Sequence, residues 1–185
     1  SNQFLADYQN VAALLDAIAT KGGKNAHHAQ SQKAYVDRLY AASGAADCGQ
    51  MDQMYASVVA ESASNIEKLG SIMKLYRRLG CTESDVYFAA AEHAHKLQPT
   101  SESAAGCAQM CIKKEDYAGA IEYYKQALSM VTNDEDKADY LYRMANVYVS
   151  MKNYQLGAAT AQQALDINAE DGRCYLLMGI CYASA

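Results

Sequence analysis

The feature that most constrains this chain is a spacing that keeps returning. Four helix-sized segments carry one residue, two spacers, an adjacent pair, two spacers and a final residue. They are Leu69-x-x-Ile72-Met73-x-x-Tyr76, Ala104-x-x-Cys107-Ala108-x-x-Cys111, Leu141-x-x-Met144-Ala145-x-x-Tyr148 and Tyr175-x-x-Met178-Gly179-x-x-Tyr182. Their first positions lie 35, 37 and 34 residues apart. Steps of three and four place side chains on one helical face. Second segments stand between them, Tyr117–Met130 and Tyr154–Asn168, each opened by a Tyr and closed by an Ala-Leu pair. An ordinary helical bundle carries the same stripe but has no reason to repeat it at a fixed interval. A helix pair too small to bury its own stripe is stabilised by stacking on its neighbours. The expectation is an all-α superhelix, or solenoid, of stacked antiparallel helix pairs with about ten helices in residues 1–185.

These segments resemble tetratricopeptide repeats, the match being good for Asp116–Leu128 and Tyr142–Leu165. The resemblance implies a right-handed superhelix with first helices lining a concave face. The chain departs from the family pattern at Ala104 and Cys111, where large aromatics are expected. It departs again at Gly157 and Ala161, small residues that leave room for something else to fill. Residues 101–133 and 134–170 are read as two repeats, 63–100 as a degenerate one and 1–62 as degenerate N-terminal helices. Residues 171–185 read as the first helix of a truncated repeat. A capping helix is the alternative, against which stand the apolar Leu176, Leu177 and Ile180. The opening Ser-Asn, with no initiator Met, is read as a mature or recombinant form.

Phe4, Tyr8, Val11, Leu15 and Ile18 predict an amphipathic helix over Gln3–Thr20, stopped by the glycines at 22 and 23. Tyr35, Val36, Leu39 and Tyr40 mark a second helix over Ala26–Ser43. Met51, Met54, Tyr55, Val58 and Val59 mark a third over Gln50–Glu61. Thr82-Glu-Ser-Asp85 opens another helix, with Val86, Tyr87, Ala90, Ala91, Ala94 and Leu97 inward and Pro99 beyond its end. Ser101 or Ser103 is the expected cap of the next. Asn133–Asp136 is read as an acidic loop that accounts for the longer 37-residue interval. Tyr148 is expected to be buried.

Composition narrows the function. One Pro, no Trp, two Phe and fifteen Tyr suit a helical array, and a net charge of −5 disfavours nucleic acid as partner. No apolar run is long enough to span a membrane. Cys107 and Cys111 fall on the buried stripe and read as small hydrophobes; neither they nor Cys174 and Cys181 have the spacing of a zinc knuckle. Cys48 and Cys81 are expected at the same end of neighbouring antiparallel helices, either bonded to each other or as two free thiols. A bond would favour an extracytoplasmic, oxidising compartment such as a periplasm. The pattern around these two cysteines is also similar to exported tetratricopeptide proteins of Bacteroidetes-type bacteria. His27-His28 and His93-x-His95 diverge on a helix and do not converge on a metal. No phosphate loop, metalloprotease helix or nucleophile elbow is present. The reading is a non-enzymatic protein without cofactor or metal.

Carried over by the resemblance, the concave face presents Glu102, Ala105, Gln109 and Lys113, then Asp139, Tyr142, Asn146 and Ser150, then Arg173, Leu176 and Ile180. Asn146 is the leading candidate, since an amide can pair with both the carbonyl and the N–H of an extended backbone. Ala105, Gln109, Arg143 and Leu177 stand where family members that hold a chaperone-tail carboxylate need Lys, Asn, Asn and Arg. Chaperone-tail binding is therefore not expected. The expected partner is a protein or peptide in the groove. The alternative is self-association through the last helix, and an enzyme or metal protein is a remote third reading.

Overall fold

A computed structural model describes residues 2–184. It contains ten helices: α1 (Asn2–Lys21), α2 (Ala26–Ala42), α3 (Cys48–Glu61), α4 (Ile66–Arg78), α5 (Asp85–Leu97), α6 (Ser101–Lys113), α7 (Tyr117–Met130), α8 (Asp134–Ser150), α9 (Tyr154–Ile167) and α10 (Gly172–Ser184). They stack as an all-α solenoid in which α4 packs on α5, α6 on α7 and α8 on α9, each pair continuing into the next.

Local chemistry sets the helix ends. Asp47, Asn65, Ser84, Thr100, Asp116, Asn133 and Asn153 each cap the helix that follows through a side-chain oxygen, satisfying backbone N–H groups that have no intrahelical partner. The cap of α6 is Thr100, not Ser101 or Ser103; Ser103 sits one turn in and completes a capping box with it. Residues Asp134–Asp136 are not a loop but the first turn of α8, held by Asn133. Carboxylates are favoured there by the positive end of the helix dipole, so the longer interval lengthens a helix, not a turn. The turns inside the pairs also repeat. Gly80, Glu115 and Lys152 take positive φ one repeat apart, and the next N–H in each case bonds back to the helix just ended, at Tyr76, Cys111 and Tyr148.

Two apolar clusters form the core, one through α2–α5 and one through α6–α10. Between them α5 and α6 approach closely: a Cβ on Gly106 would stand 2.5 Å from the Ala91 Cβ. Leu69, Ile72, Met73 and Tyr76 are buried, as are Ala104, Cys107, Ala108 and Cys111. Leu141, Met144 and Ala145 are buried too, but Tyr148 is only half-buried at the edge of its cluster. The space left by Gly157 is filled: a Cβ there would meet Val149 Cγ2 at 3.0 Å and Cys181 Sγ at 3.2 Å.

The expected stripe fails at both ends of the stack. On α10 the buried residues are Cys174, Leu177 and Cys181, while Tyr175 and Tyr182 are exposed, because only α9 and α8 lie against this helix. Near the N-terminus, Phe4, Val11, Tyr35 and Leu39 are exposed. There α1 lies along α2, while α2 touches α3 only lightly. Leu97 is likewise exposed, and Phe88, absent from the sequence reading, is buried. Cys48 and Cys81 are joined by a disulfide with Cα atoms 5.4 Å apart, tying the start of α3 to the turn after α4.

Candidate functional site

The first helices α4, α6 and α8 turn one polar face to a common side, which α10 extends. An ion-paired chain crosses that face. Arg77, in the last turn of α4, reaches Glu102 on α6 at 3.5 Å and Asp136 on α8 at 2.9 Å. Asp139 holds Arg143 of its own helix at 2.6 Å and Arg173 of α10 at 3.1 Å. Arg173 also pairs with Asp171 at 2.8 Å and stacks over the Tyr142 ring, 4.4 Å from its centroid. Guanidinium groups suit this bridging, since each offers a planar fork of donors. The Asp171 carboxyl is held below its usual range chiefly by its hydrogen bond from Arg173.

Two cavities open along this face. The first, about 420 Å³, is lined by Arg77, Thr82, Tyr87, Glu102, Gln109, Asp139, Tyr140 and Arg143. The second, about 480 Å³, has Phe88, Ile112, Tyr124 and Tyr142 as its apolar walls, with Gln109, Lys113, Arg143 and Asn146 as polar neighbours. Gln109 and Arg143 belong to both and form the partition. The Gln109 amide is assigned with its oxygen toward the Arg143 guanidinium and its NH2 toward the Thr82 carbonyl, because only that orientation matches donors with acceptors. Lys113 is drawn aside to Asp85 at 2.7 Å and lies over the Phe88 ring. Burial raises the phenols of Tyr87 and Tyr140, and pushes Tyr124 up to about 12. All three are therefore neutral hydroxyls at ordinary pH. A further acidic recess of about 500 Å³ lies beside Asp134, Glu135, Asp136 and Asp171.

The residues expected from sequence fall into place unevenly. Glu102, Gln109 and Asp139 meet in the first cavity, and Gln109, Lys113, Tyr142 and Asn146 in the second. Asn146 spends one of its amide protons on the Tyr142 carbonyl of its own helix, at 3.0 Å, leaving its oxygen free. Ser150 lies apart, bonded back to the Asn146 carbonyl and lining neither cavity. Leu176 and Ile180 are exposed on α10, away from both. Ala105 is buried in the wall of the first. The sequence reading does not single out Arg77, Thr82, Tyr87, Tyr124 or Tyr140 as site residues, placing Thr82 only in a cap and Tyr87 only in the core, and it weighs Arg143 only as a mismatch. The second-helix phenol Tyr124 was legible in principle, as the largest of the buried residues of α7. Arg77 and Asp136 were not, since no local pattern links residues so distant in sequence. Among the described residues no three His, Cys, Asp or Glu side chains converge to hold a metal ion, and no helix is long and apolar enough to cross a membrane.

Comparison with known proteins bears on the same region. The tetratricopeptide repeat model matches residues 107–130 and 138–171, which cover α7, α9, much of α6 and most of α8. Over 67 residues the chain is 36% identical to the photosystem I assembly protein Ycf3 of Prochlorococcus marinus strain MIT 9303, and equally to that of Synechococcus sp. strain CC9902. Those alignments take in 36% of this chain and 39% of each relative, so the chain spans about two fifths of the length of the curated relatives it matches. Two crystal structures of MamA share the fold. One superposes with a TM-score of 0.58 at 19% identity, over 73% of this chain and 78% of that one. The other gives 0.57 at 15%, over 100% and 84%.

Proposed function

We propose, from the premise that residues 107–130 and 138–171 are tetratricopeptide repeats, that this chain is a non-enzymatic scaffold binding an extended protein segment along the face of α4, α6 and α8. The observation that carries the reading is the pair of adjoining cavities on one side of the stack, sharing Gln109 and Arg143 of the successive first helices α6 and α8. The half-buried Tyr142 and Ile112 supply contact area, and the Asn146 oxygen stands ready for a backbone N–H. Assembly is what the name of the relative Ycf3 describes, and a scaffold role here is in keeping with it. Affinity capture from the native cells tests the proposal, with the wild-type chain and a Tyr142→Ala/Asn146→Ala double variant run side by side. The variant should keep its melting temperature and lose the partners; partners retained in full would refute the groove.

One observation favours a second reading, self-association through α10. Leu176 and Tyr182 are each 70% exposed and Tyr175 56%, an apolar face with no cover among the described residues. Sedimentation over a range of concentrations tests it, a constant monomer mass being the contrary result. Under the same proposal the compartment is oxidising, the Cys48–Cys81 bond being the support. Thiol titration of denatured protein taken from its own cells should then find four reactive cysteines, and six would count against it.

A further inference from the structure

A cavity of about 730 Å³ lies between α2, α3 and α4 and shares no lining residue with the two groove cavities. Its cause is a splay between helices. The Tyr40 hydroxyl bonds Gln50 Oε1 at 3.2 Å and pins the end of α2 to the start of α3, but along the rest of their length the two helices touch only lightly. Helix α4 likewise meets α3 lightly. The result is a cleft with an apolar floor, made by the buried or half-buried Met54, Val58, Ile72 and Leu75. At mid-length each wall carries a small exposed residue, Ala34 on α2, Ser57 on α3 and Ser71 on α4, so the floor is reached from outside. One end of the cleft is chemically marked. Tyr55 is only 8% exposed, yet its hydroxyl makes no hydrogen bond among the described residues and is not sealed off from the cavity it lines. Burial raises this phenol, which stays a neutral donor, and the nearby Arg38 charge partly opposes that rise. Asp37 is taken by Lys33 at 2.8 Å and by the Tyr8 hydroxyl at 2.9 Å. Arg38 is therefore an exposed cation without an ion pair among the described residues. At the opposite end Glu61 stands with Lys68, so a second negative charge is not favoured there.

We propose that this cleft seats one amphipathic α-helix of a partner protein, its apolar stripe on Met54, Val58, Ile72 and Leu75 and one Asp or Glu at the end marked by Arg38 and the Tyr55 hydroxyl. The floor argues for a helix over an extended segment. A strand pressed on apolar side chains leaves its backbone N–H and C=O groups unpaired, whereas a helix pairs its own. The length fits as well. Gln30, Ala34 and Arg38 follow one another at four-residue steps along α2, as do Gln53, Ser57 and Glu61 along α3. Each run spans about 12 Å, two turns of a docked helix with anchors at i, i+3 or i+4, and i+7. The carboxylate follows from the donors that await it, one guanidinium and one phenol. The site is separate from the groove and does not depend on it.

The test displays a library on phage in which one exposed helix face of a small, rigid helical scaffold is randomised, and selects binders on the full chain. Binders should carry apolar residues at helical spacing and one Asp or Glu at a fixed place beside them. Replacing that acid by its amide should weaken binding about three- to tenfold, the worth of one exposed charge pair with one hydrogen bond. Arg38→Gln should erase the difference between acid and amide, and Tyr55→Phe should reduce it. Val58→Glu should abolish binding. Since Val58 is half-buried, Ala34→Trp, on the exposed wall, serves as a second block, and a thermal melt checks the fold of both. The proposal is overturned if no binder is lost on both blocking variants, if the binders show no acid at a fixed position, or if the acid preference survives Arg38→Gln. Binders lost on Tyr142→Ala but not on Ala34→Trp would place the helix in the groove and also overturn it.

Discussion

Two tyrosines with equally buried rings should respond unequally to losing their hydroxyls. Tyr76 donates to Asp52 Oδ1 at 3.1 Å, an oxygen that also accepts from Ser84 at 2.6 Å. Tyr76→Phe should therefore cost about 1 kcal/mol in urea denaturation. Tyr124→Phe should cost less, since its hydroxyl has the Arg143 guanidinium beside it but no well-formed hydrogen bond. A comparable loss at both would mean that Tyr124 has a partner. Sequence foresaw that large residues at stripe positions lie inward, and Tyr76 obeys. It could not foresee which hydroxyl finds an acceptor, because Asp52 comes from a different helix pair. Tyr148 shows the other limit. Its register is right, yet it sits in the last turn of α8 at the edge of its cluster, so it is only half-buried.

At the scale of elements, the closest approach in the stack is the crossing of α5 and α6. Gly106→Ala brings a methyl group 2.5 Å from Ala91 Cβ and should destabilise by about 1–3 kcal/mol in chemical denaturation. Adding Ala91→Gly should recover much of it. Helix α3 is held differently. It packs mainly on α5 and lightly on α2 and α4, with the Cys48–Cys81 bond closing a sequence separation of 33. Reduction, or Cys48→Ser/Cys81→Ser, should cost roughly 3–4 kcal/mol by loop-entropy arithmetic, and amide exchange in α3 should rise first. Helix α10 depends on pH. The hydrogen bond from Arg173 lowers the Asp171 pKa in the fold. Its stabilisation is thus present above the unfolded carboxylate value, about 3.9, and is lost as pH falls through the lower folded one. Amide protection in α10, taken relative to the intrinsic exchange rate at each pH, should fall on acidification, and Arg173→Gln should flatten that response. The pairing of helices was legible from the 34–37-residue period, and the caps nearly so. The acidic turn at Asp134–Asp136 was misread because charge clusters suit a loop and a helix start alike.

Across the whole molecule, the order of helices and the sidedness of the groove followed from the repeat. What closes the groove did not. Arg77 stands one helix pair before Glu102 and two before Asp136, and binds both. Such a contact depends on how tightly the coil is wound, a quantity that no single repeat encodes. A coil bridged from one turn-arm to the next but one resists opening more like a clasp than a spring. Each exposed pair is individually weak and screened by salt, so the stiffness is adjustable. Small-angle scattering should show the radius of gyration growing between low and high ionic strength, and Arg77→Gln should start at the larger value and stay there. An unchanged radius in both would mean that apolar packing alone sets the winding. Cargo too wide for the gap must undo the clasp before it seats, which makes the width of the incoming segment a selection criterion alongside its chemistry.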